Sequence, residues 1–128
     1  MLRRLIPYVS LVALIVLLAL PSCVTPSVPI PPPSPERMVF DIDTDLGTAT
    51  FEYDPDPSYA NAVVYVFNRT AGSGVITTAA SDGSVISEPF PATDGDEVVI
   101  SIETAIQLAS TCVKIQQGRS SSAFECTF

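Results

Sequence analysis

The sequence predicts an all-β fold: a seven- to eight-stranded antiparallel β-sandwich behind a cleaved signal peptide and a Pro-rich linker. Three observations carry that expectation. From Met38 onward apolar and polar residues alternate with period two, the pattern of half-buried strands. The alternating runs are short and punctuated by Gly, Pro and Asp turn signals. Six of the twelve prolines crowd between Pro26 and Pro35 and separate this part from an apolar N-terminal run. The expected organisation is signal peptide 1–22, linker 23–37 and sandwich domain 38–128.

The first segment has the order of an export signal. Arg3 and Arg4 supply positive charge, Leu11 to Leu20 are ten uninterrupted apolar residues, and Pro21-Ser22-Cys23 follows. The apolar stretch from Leu5 is broken by Pro7 and Ser10, and falls short of the roughly 18–20 residues a membrane span needs. Next come Pro26, Pro29, Pro31, Pro32, Pro33 and Pro35. Proline lacks an N–H and has a fixed φ, so this stretch is expected to be polyproline II at about 3.1 Å per residue. Val24 to Arg37 would then form a stalk of up to roughly 40 Å.

Each strand is justified by its alternation. Met38, Phe40 and Ile42 face one way, with Val39, Asp41 and Asp43 opposite. Ala49, Phe51 and Tyr53 alternate with Thr48, Thr50 and Glu52. Ala62 to Phe67 is apolar on both faces, which predicts a central strand. Val75–Ala80 and Ser84–Glu88 are weaker strands around Ser81-Asp82-Gly83. Val98, Ile100 and Ile102 alternate with Val99, Ser101 and Glu103, and a helical turn is the one alternative over Glu103–Ser110. The last pair, Thr111–Gln117 and Ala123–Phe128, is joined by Gly118 to Ser122. Further turn signals are Asp54-Pro-Asp-Pro57, Ala71-Gly-Ser-Gly74 and Asp94-Gly95.

Composition excludes several functions. Residues 23–128 carry four basic and fourteen acidic side chains, a formal charge of −10. So few cations cannot neutralise a run of phosphates, so no nucleic-acid partner is expected. The chain has no histidine, which removes the commonest general base and most metal sites. Without it there is no Ser-His-Asp or Cys-His arrangement. Lys114 with Ser110 or Ser120 to Ser122 is the remaining nucleophile pattern, and carries little weight. No catalytic residue and no cofactor is expected, and the chain is read as a non-enzyme. Asn68-Arg69-Thr70 fits a glycosylation sequon but reads as a strand end. Tyr53, Tyr59 and Tyr65 read as core and rim packing rather than a binding patch.

Asp41, Asp43, Asp45 and Glu52 imitate the carboxylate spacing of a calcium loop. The sixth position, where that loop needs Gly, is Leu46, and Gly47 comes one late. The flanks read as strands rather than helices. These four residues are therefore taken as a solvated acidic face that discourages edge pairing, with calcium as the alternative.

The segment Leu20-Pro21-Ser22-Cys23, placed after basic and apolar regions, resembles the lipobox of bacterial lipoprotein precursors. The resemblance covers residues 1–23. It implies that the Cys23 thiol is acylated, palmitate included, and becomes the mature N-terminus. Val24 in place of Asp leans toward the outer membrane. In the domain, Ala62-Val-Val-Tyr-Val-Phe-Asn-Arg-Thr70, Asp82-Gly-Ser84, Pro91-Ala92 and Gly95-Asp-Glu-Val-Val-Ile100 resemble bacterial Ig-like and carboxypeptidase-regulatory-like modules. The sandwich implied is Ig-like or prealbumin-like. Such modules are spacers, adhesive units or enzyme accessories, and no catalytic residue is carried over.

With lipid on Cys23, Cys112 and Cys126 remain as a pair, expected to form a disulfide across the last hairpin with 112 opposite 126. The function expected is a membrane-anchored envelope lipoprotein displaying a small non-catalytic binding or structural module. Its partners are the membrane, through the lipid, and an envelope protein or glycan. The alternatives are a calcium-assisted adhesion or carbohydrate-binding module, or an accessory subunit of an envelope complex.

Overall fold

The computed structural model describes residues 28–119 together with 123 and 124. The expected signal peptide, Cys23, Ser120 to Ser122 and Cys126 lie outside the described residues. The fold is a β-sandwich of two antiparallel sheets. Its strands are β1 (Met38–Asp43), β2 (Thr48–Tyr53), β3 (Val63–Asn68), β4 (Ser73–Thr78), β5 (Val85–Ile86), β6 (Phe90–Pro91), β7 (Glu97–Glu103), β8 (Leu108–Lys114), β9 (Gly118–Arg119) and β10 (Ala123–Phe124). The first sheet runs β5-β2-β1-β9, with β6 also on β2, and the second runs β10-β8-β7-β3-β4.

Alternation fixes which side chains meet between the sheets. Met38, Phe40, Ala49, Phe51 and Tyr53 come from the first sheet; Val64, Val66, Val98, Ile100, Ile102 and Val113 come from the second. Phe40 lies opposite Phe51 across β1 and β2, with ring centroids 5.3 Å apart. The aromatic series continues from Phe51 to Tyr53 at 6.4 Å and from Tyr53 to Tyr59 at 5.7 Å. Each fully buried side chain of this size contributes about 1.5–3 kcal/mol. β3 is an interior strand, flanked by β4 and β7, as its apolar run predicts. Its outer face is only partly covered: Phe67 is exposed.

Several expectations are corrected. The strands on either side of the Ser81-Asp82-Gly83 turn belong to different sheets. β4 belongs to the second sheet and β5 to the first, so the turn at Asp82-Gly83 carries the chain across the sandwich. Asp82 Oδ1 accepts from both the Ser84 N–H and its hydroxyl, which makes the local turn without dictating a partner strand. β5 and β6 are one edge strand interrupted by a bulge. The register against β2 slips by one residue between them, and Ser87 Oγ accepts from Phe51 N–H where a ladder carbonyl would stand.

The helical alternative over Glu103–Ser110 is replaced by a β7–β8 hairpin. Its turn is closed by Thr104 N–H donating to Gln107 O at 2.8 Å. The final hairpin is also redrawn. After Lys114 the chain visits the first sheet, where Gly118–Arg119 pairs with β1, and then returns as β10 beside β8. Phe124, not residue 126, lies opposite Cys112, so the expected register is off by two.

The free stalk expected over residues 24–37 is corrected for its described part. Pro33 is buried, and Ile30 packs against the core. A polyproline stretch makes no ladder of its own, but its carbonyls still accept. Tyr59 Oη donates to Pro31 O at 2.6 Å, and Thr111 Oγ1 donates to Pro33 O at 2.6 Å. Residues from Val28 onward are therefore part of the folded domain.

Candidate functional site

One end of the sandwich receives the incoming chain. Gln107, in the β7–β8 turn, donates through Nε2 to Val28 O at 3.2 Å and accepts the Ile30 N–H at Oε1. The segment then crosses Thr111 and Tyr59. At Ser34 its N–H donates to Tyr53 Oη at 3.0 Å. Pro35–Arg37 forms a 3₁₀ turn leading into β1. Arg37 closes the seat: its guanidinium pairs with Asp56 Oδ2 at 2.7 Å, donates to Pro55 O, and lies 5.4 Å above the centroid of the Tyr53 ring. Asp56 also caps the 3₁₀ turn Pro57–Tyr59 by accepting from Ser58 N–H. Burial, and then the neighbouring Tyr53 and Asp56, push the Tyr59 phenol up in pKa. It therefore remains a donor to Pro31 across the physiological range. Tyr53 and Tyr59 are core residues that hold this segment, as their packing reading implied.

The acidic hairpin does not gather its carboxylates. Asp43 Oδ1 accepts from the N–H groups of Asp45 and Leu46, both at 3.0 Å, and shapes the β1–β2 turn, where Gly47 takes a φ of 63°. Asp45 sits in that turn rather than on the strand. Asp41 Oδ1 accepts from Gln117 Nε2 at 3.0 Å, while Gln117 Oε1 accepts Ile42 N–H at 2.7 Å. Glu52 lies opposite Val39, four residues along β2 from the Thr48 that faces Asp43. At about 3.3 Å per residue that is roughly 13 Å away. Among the described residues, no group of three or more His, Cys, Asp or Glu side chains is placed to hold a metal ion.

Three of the four segments that carried the resemblance to Ig-like modules meet at the other end, while Asp82-Gly-Ser84 lies beside Asp56 at the seat end. Asn68, fully buried at the end of β3, donates from Nδ2 to Pro91 O at 3.0 Å and to Asp96 Oδ2 at 2.7 Å. Its Oδ1 accepts Ala71 N–H at 3.0 Å. Asp96 also accepts the Thr93 N–H and hydroxyl. Burial pushes the Asp96 carboxyl up, but the hydrogen bonds from Asn68 and Thr93 outweigh it and hold the pKa below the usual range. This clasp ties β6 of the first sheet to β3 and β7 of the second. It also disposes of the sequon, because the Asn68 amide is enclosed and both of its Nδ2 hydrogens are engaged. Sequence reasoning missed the clasp, since Asn68 and Asp96 are 28 residues apart. The one signal was a polar Asn closing an apolar strand.

Cys112 is buried on the outer face of the second sheet, opposite Val99. Lys114 is exposed on the same face, opposite Glu97. Ser110 exchanges a 2.7 Å hydrogen bond with Ser101. Four residues of strand, about 13 Å, separate Ser110 from Lys114, too far for a dyad. Farther across this face Tyr65 Oη donates to Glu103 Oε2 at 2.6 Å. Beside Tyr65, a shallow depression is lined by Tyr65, Val66, Phe67, Gly74, Val75 and Ile76, at the edge strand β4.

The described carboxylates with assigned hydrogen bonds thus serve turns, strands and the clasp, and the end that receives the N-terminal segment is the most elaborated polar region. No protein-family model matches this chain, and no curated protein and no solved structure is significantly similar to it.

Proposed function

We propose that this chain is a bacterial cell-envelope lipoprotein, acylated at Cys23 and held at a membrane, in the outer-membrane class by its Val24. It displays a small non-catalytic β-sandwich as a binding or structural module. The observation that supports this best is the order Arg3-Arg4, Leu11 to Leu20, Leu20-Pro21-Ser22-Cys23, with a folded domain that is already engaged at Val28. Engagement of Asp41, Asp43, Asp56, Asp82 and Asp96 in framework hydrogen bonds favours a structural use of the acidic residues. Metabolic labelling with palmitate tests the anchor. The native chain incorporates label and fractionates with membranes; Cys23→Ser does neither. Label on the substituted chain refutes the assignment.

A disulfide between Cys112 and Cys126 belongs to the same reading. It is supported by β10 running beside β8, the strand that carries the buried Cys112, and by the two cysteines that remain once Cys23 is acylated. In the chain-entropy model, closing a loop of this length contributes about 3 kcal/mol.

The accessory-subunit reading has one observation in its favour. β4, Ser-Gly-Val-Ile-Thr-Thr, is an edge strand without charge or proline, next to exposed Phe67 and Ile76. Such an edge is available for strand addition. The Ile76→Lys substitution would abolish co-purification of a specific envelope subunit while leaving lipidation intact.

A further inference from the structure

We propose that the tip of the β7–β8 hairpin, together with Val28, is a membrane-contacting surface whose apolar side chains enter the interfacial layer of the phospholipid bilayer. The proposal rests on the anchor proposed for Cys23 and adds an orientation to it.

Three large apolar residues stand exposed around Gln107: Val28 at 83%, Ile106 at 74% and Leu108 at 64%. Isolated exposed apolar side chains need no explanation, but a group at one end of a domain does. These three are not scattered. Ile106 and Leu108 flank Gln107, and the Gln107 carboxamide grips the backbone of Val28 and Ile30 at both of its atoms. The turn itself, Thr104-Ala-Ile-Gln107, carries no charge, in a domain whose net charge is strongly negative. The carboxylate beside it, Glu103 opposite Leu108, accepts from Tyr65 Oη, so the tip meets a bilayer with less charge than the domain at large.

Chain length says what covers it. Only five peptide units separate Cys23 from Val28. Even fully extended, at about 3.3–3.6 Å each, they reach no more than roughly 18 Å. An acylated Cys23 sits at headgroup level, so the Val28 end is confined to a thin layer above the bilayer and cannot be carried away on a long stalk. The seat made by Tyr59, Thr111, Tyr53 and Arg37 holds this entry segment against the sandwich. The opposite end, with Leu46 in the β1–β2 turn and the bond from Ala92 N–H to Gly47 O, then points away from the membrane. Apolar side chains so placed bury into the headgroup–acyl boundary to a depth of about 5–10 Å.

The chain contains no tryptophan, so a single one is a clean reporter. Full-length acylated Ile106→Trp and Leu46→Trp proteins are reconstituted into phosphatidylcholine–phosphatidylglycerol vesicles with bromine on the upper acyl chain. The expected result is blue-shifted emission from Ile106→Trp, quenched at least about twofold more than that of Leu46→Trp, for a burial depth of this order. Because tryptophan itself favours interfaces, a second measurement uses native side chains. Amide hydrogen exchange over Thr104–Leu108 in the acylated protein slows on reconstitution, relative to the Cys23→Ser protein in solution. Protein that fractionates with vesicles but shows equal quenching at both positions and unchanged exchange overturns this inference and leaves the anchor standing. Protein that does not fractionate with membranes overturns both.

Discussion

Replacing Asn68 by Ala removes the centre of the clasp between the sheets. Asn68 is fully enclosed, so no water takes over its bonds. The substitution deletes the donation to Asp96 at 2.7 Å, a bond to a charged acceptor, and the donation to Pro91 O at 3.0 Å. It also strands the Ala71 N–H. A hydrogen bond to a charged group is worth about 1.5–3 kcal/mol and a neutral one about 1 kcal/mol, so a loss of about 3 kcal/mol is expected after partial relaxation. For a domain of this size each kcal/mol moves Tm by about 4–8 °C, so the melt should fall by roughly 12–24 °C. The assay is thermal unfolding of the soluble chain from Val24 onward, followed by circular dichroism. The pH dependence has a definite sign. The folded Asp96 pKa is depressed, so its stabilisation is present above the unfolded carboxylate value and is lost as pH falls through the folded one. The gap between native and Asn68→Ala proteins therefore narrows as pH falls below the unfolded carboxylate value of about 3.9. A cost below about 1 kcal/mol, or a gap that does not change with pH, refutes the argument that this clasp holds the sheets together.

Gly83→Ala should be strongly destabilising: φ is 81° and a Cβ would lie 1.6 Å from Asp56 O, so a loss of more than about 1 kcal/mol is expected by denaturant unfolding. Gly95→Ala, with a similar φ but open space, should cost visibly less in the same assay. Intact mass of the exported, unreduced chain should be two hydrogens below the reduced form, and Cys112→Ala should cost about 2–5 kcal/mol; free thiols at both positions in the folded protein reject the bridge. Tyr59→Phe combined with Thr111→Val should release the entry segment, losing about 0.5–1.5 kcal/mol per bond and making residues 28–34 a site of limited proteolysis; unchanged cleavage would count against the docked segment.

The strand faces were legible because alternation is a local property. Met38, Phe40, Ala49, Phe51, Val98, Ile100 and Ile102 all face the core, as their period predicts. Pairing between strands is not local. The Asp82-Gly83 turn looks like the bend of a hairpin whether the chain continues in the same sheet or crosses to the other, since the Asp82 carboxylate bonds locally, to Ser84. The same limit misplaced the last pair by two residues: nothing between Lys114 and Ala123 announces that Gly118–Arg119 pairs with β1. The carboxylates of the acidic hairpin divide in the same way. The Asx turn at Asp43 is local, whereas the clip from Gln117 to Asp41 depends on a residue 76 positions away from the one it holds.

The Pro-rich segment shows most clearly how composition and structure part. Six prolines in ten residues forbid an internal ladder, and that much is read correctly from sequence. It does not follow that the segment stands free. A polyproline strand keeps all of its carbonyls and loses most of its demand for acceptors, so it can lie on a rim that offers mainly donors. This sandwich offers a series of them: Gln107 Nε2 to Val28 O, Tyr59 Oη to Pro31 O, and Thr111 Oγ1 to Pro33 O. The N–H groups that interrupt the prolines, at Ile30 and Ser34, find Gln107 Oε1 and Tyr53 Oη. Every one of these partners lies on the sandwich rather than in the segment, so no reading of residues 24–37 alone could find them. A stalk of some 40 Å would let the domain roam over a wide volume. A seat that begins at Val28 leaves at most about 18 Å back to Cys23, so the acylation proposed for Cys23 would make a short tether, one that selects which end of the domain meets the lipid.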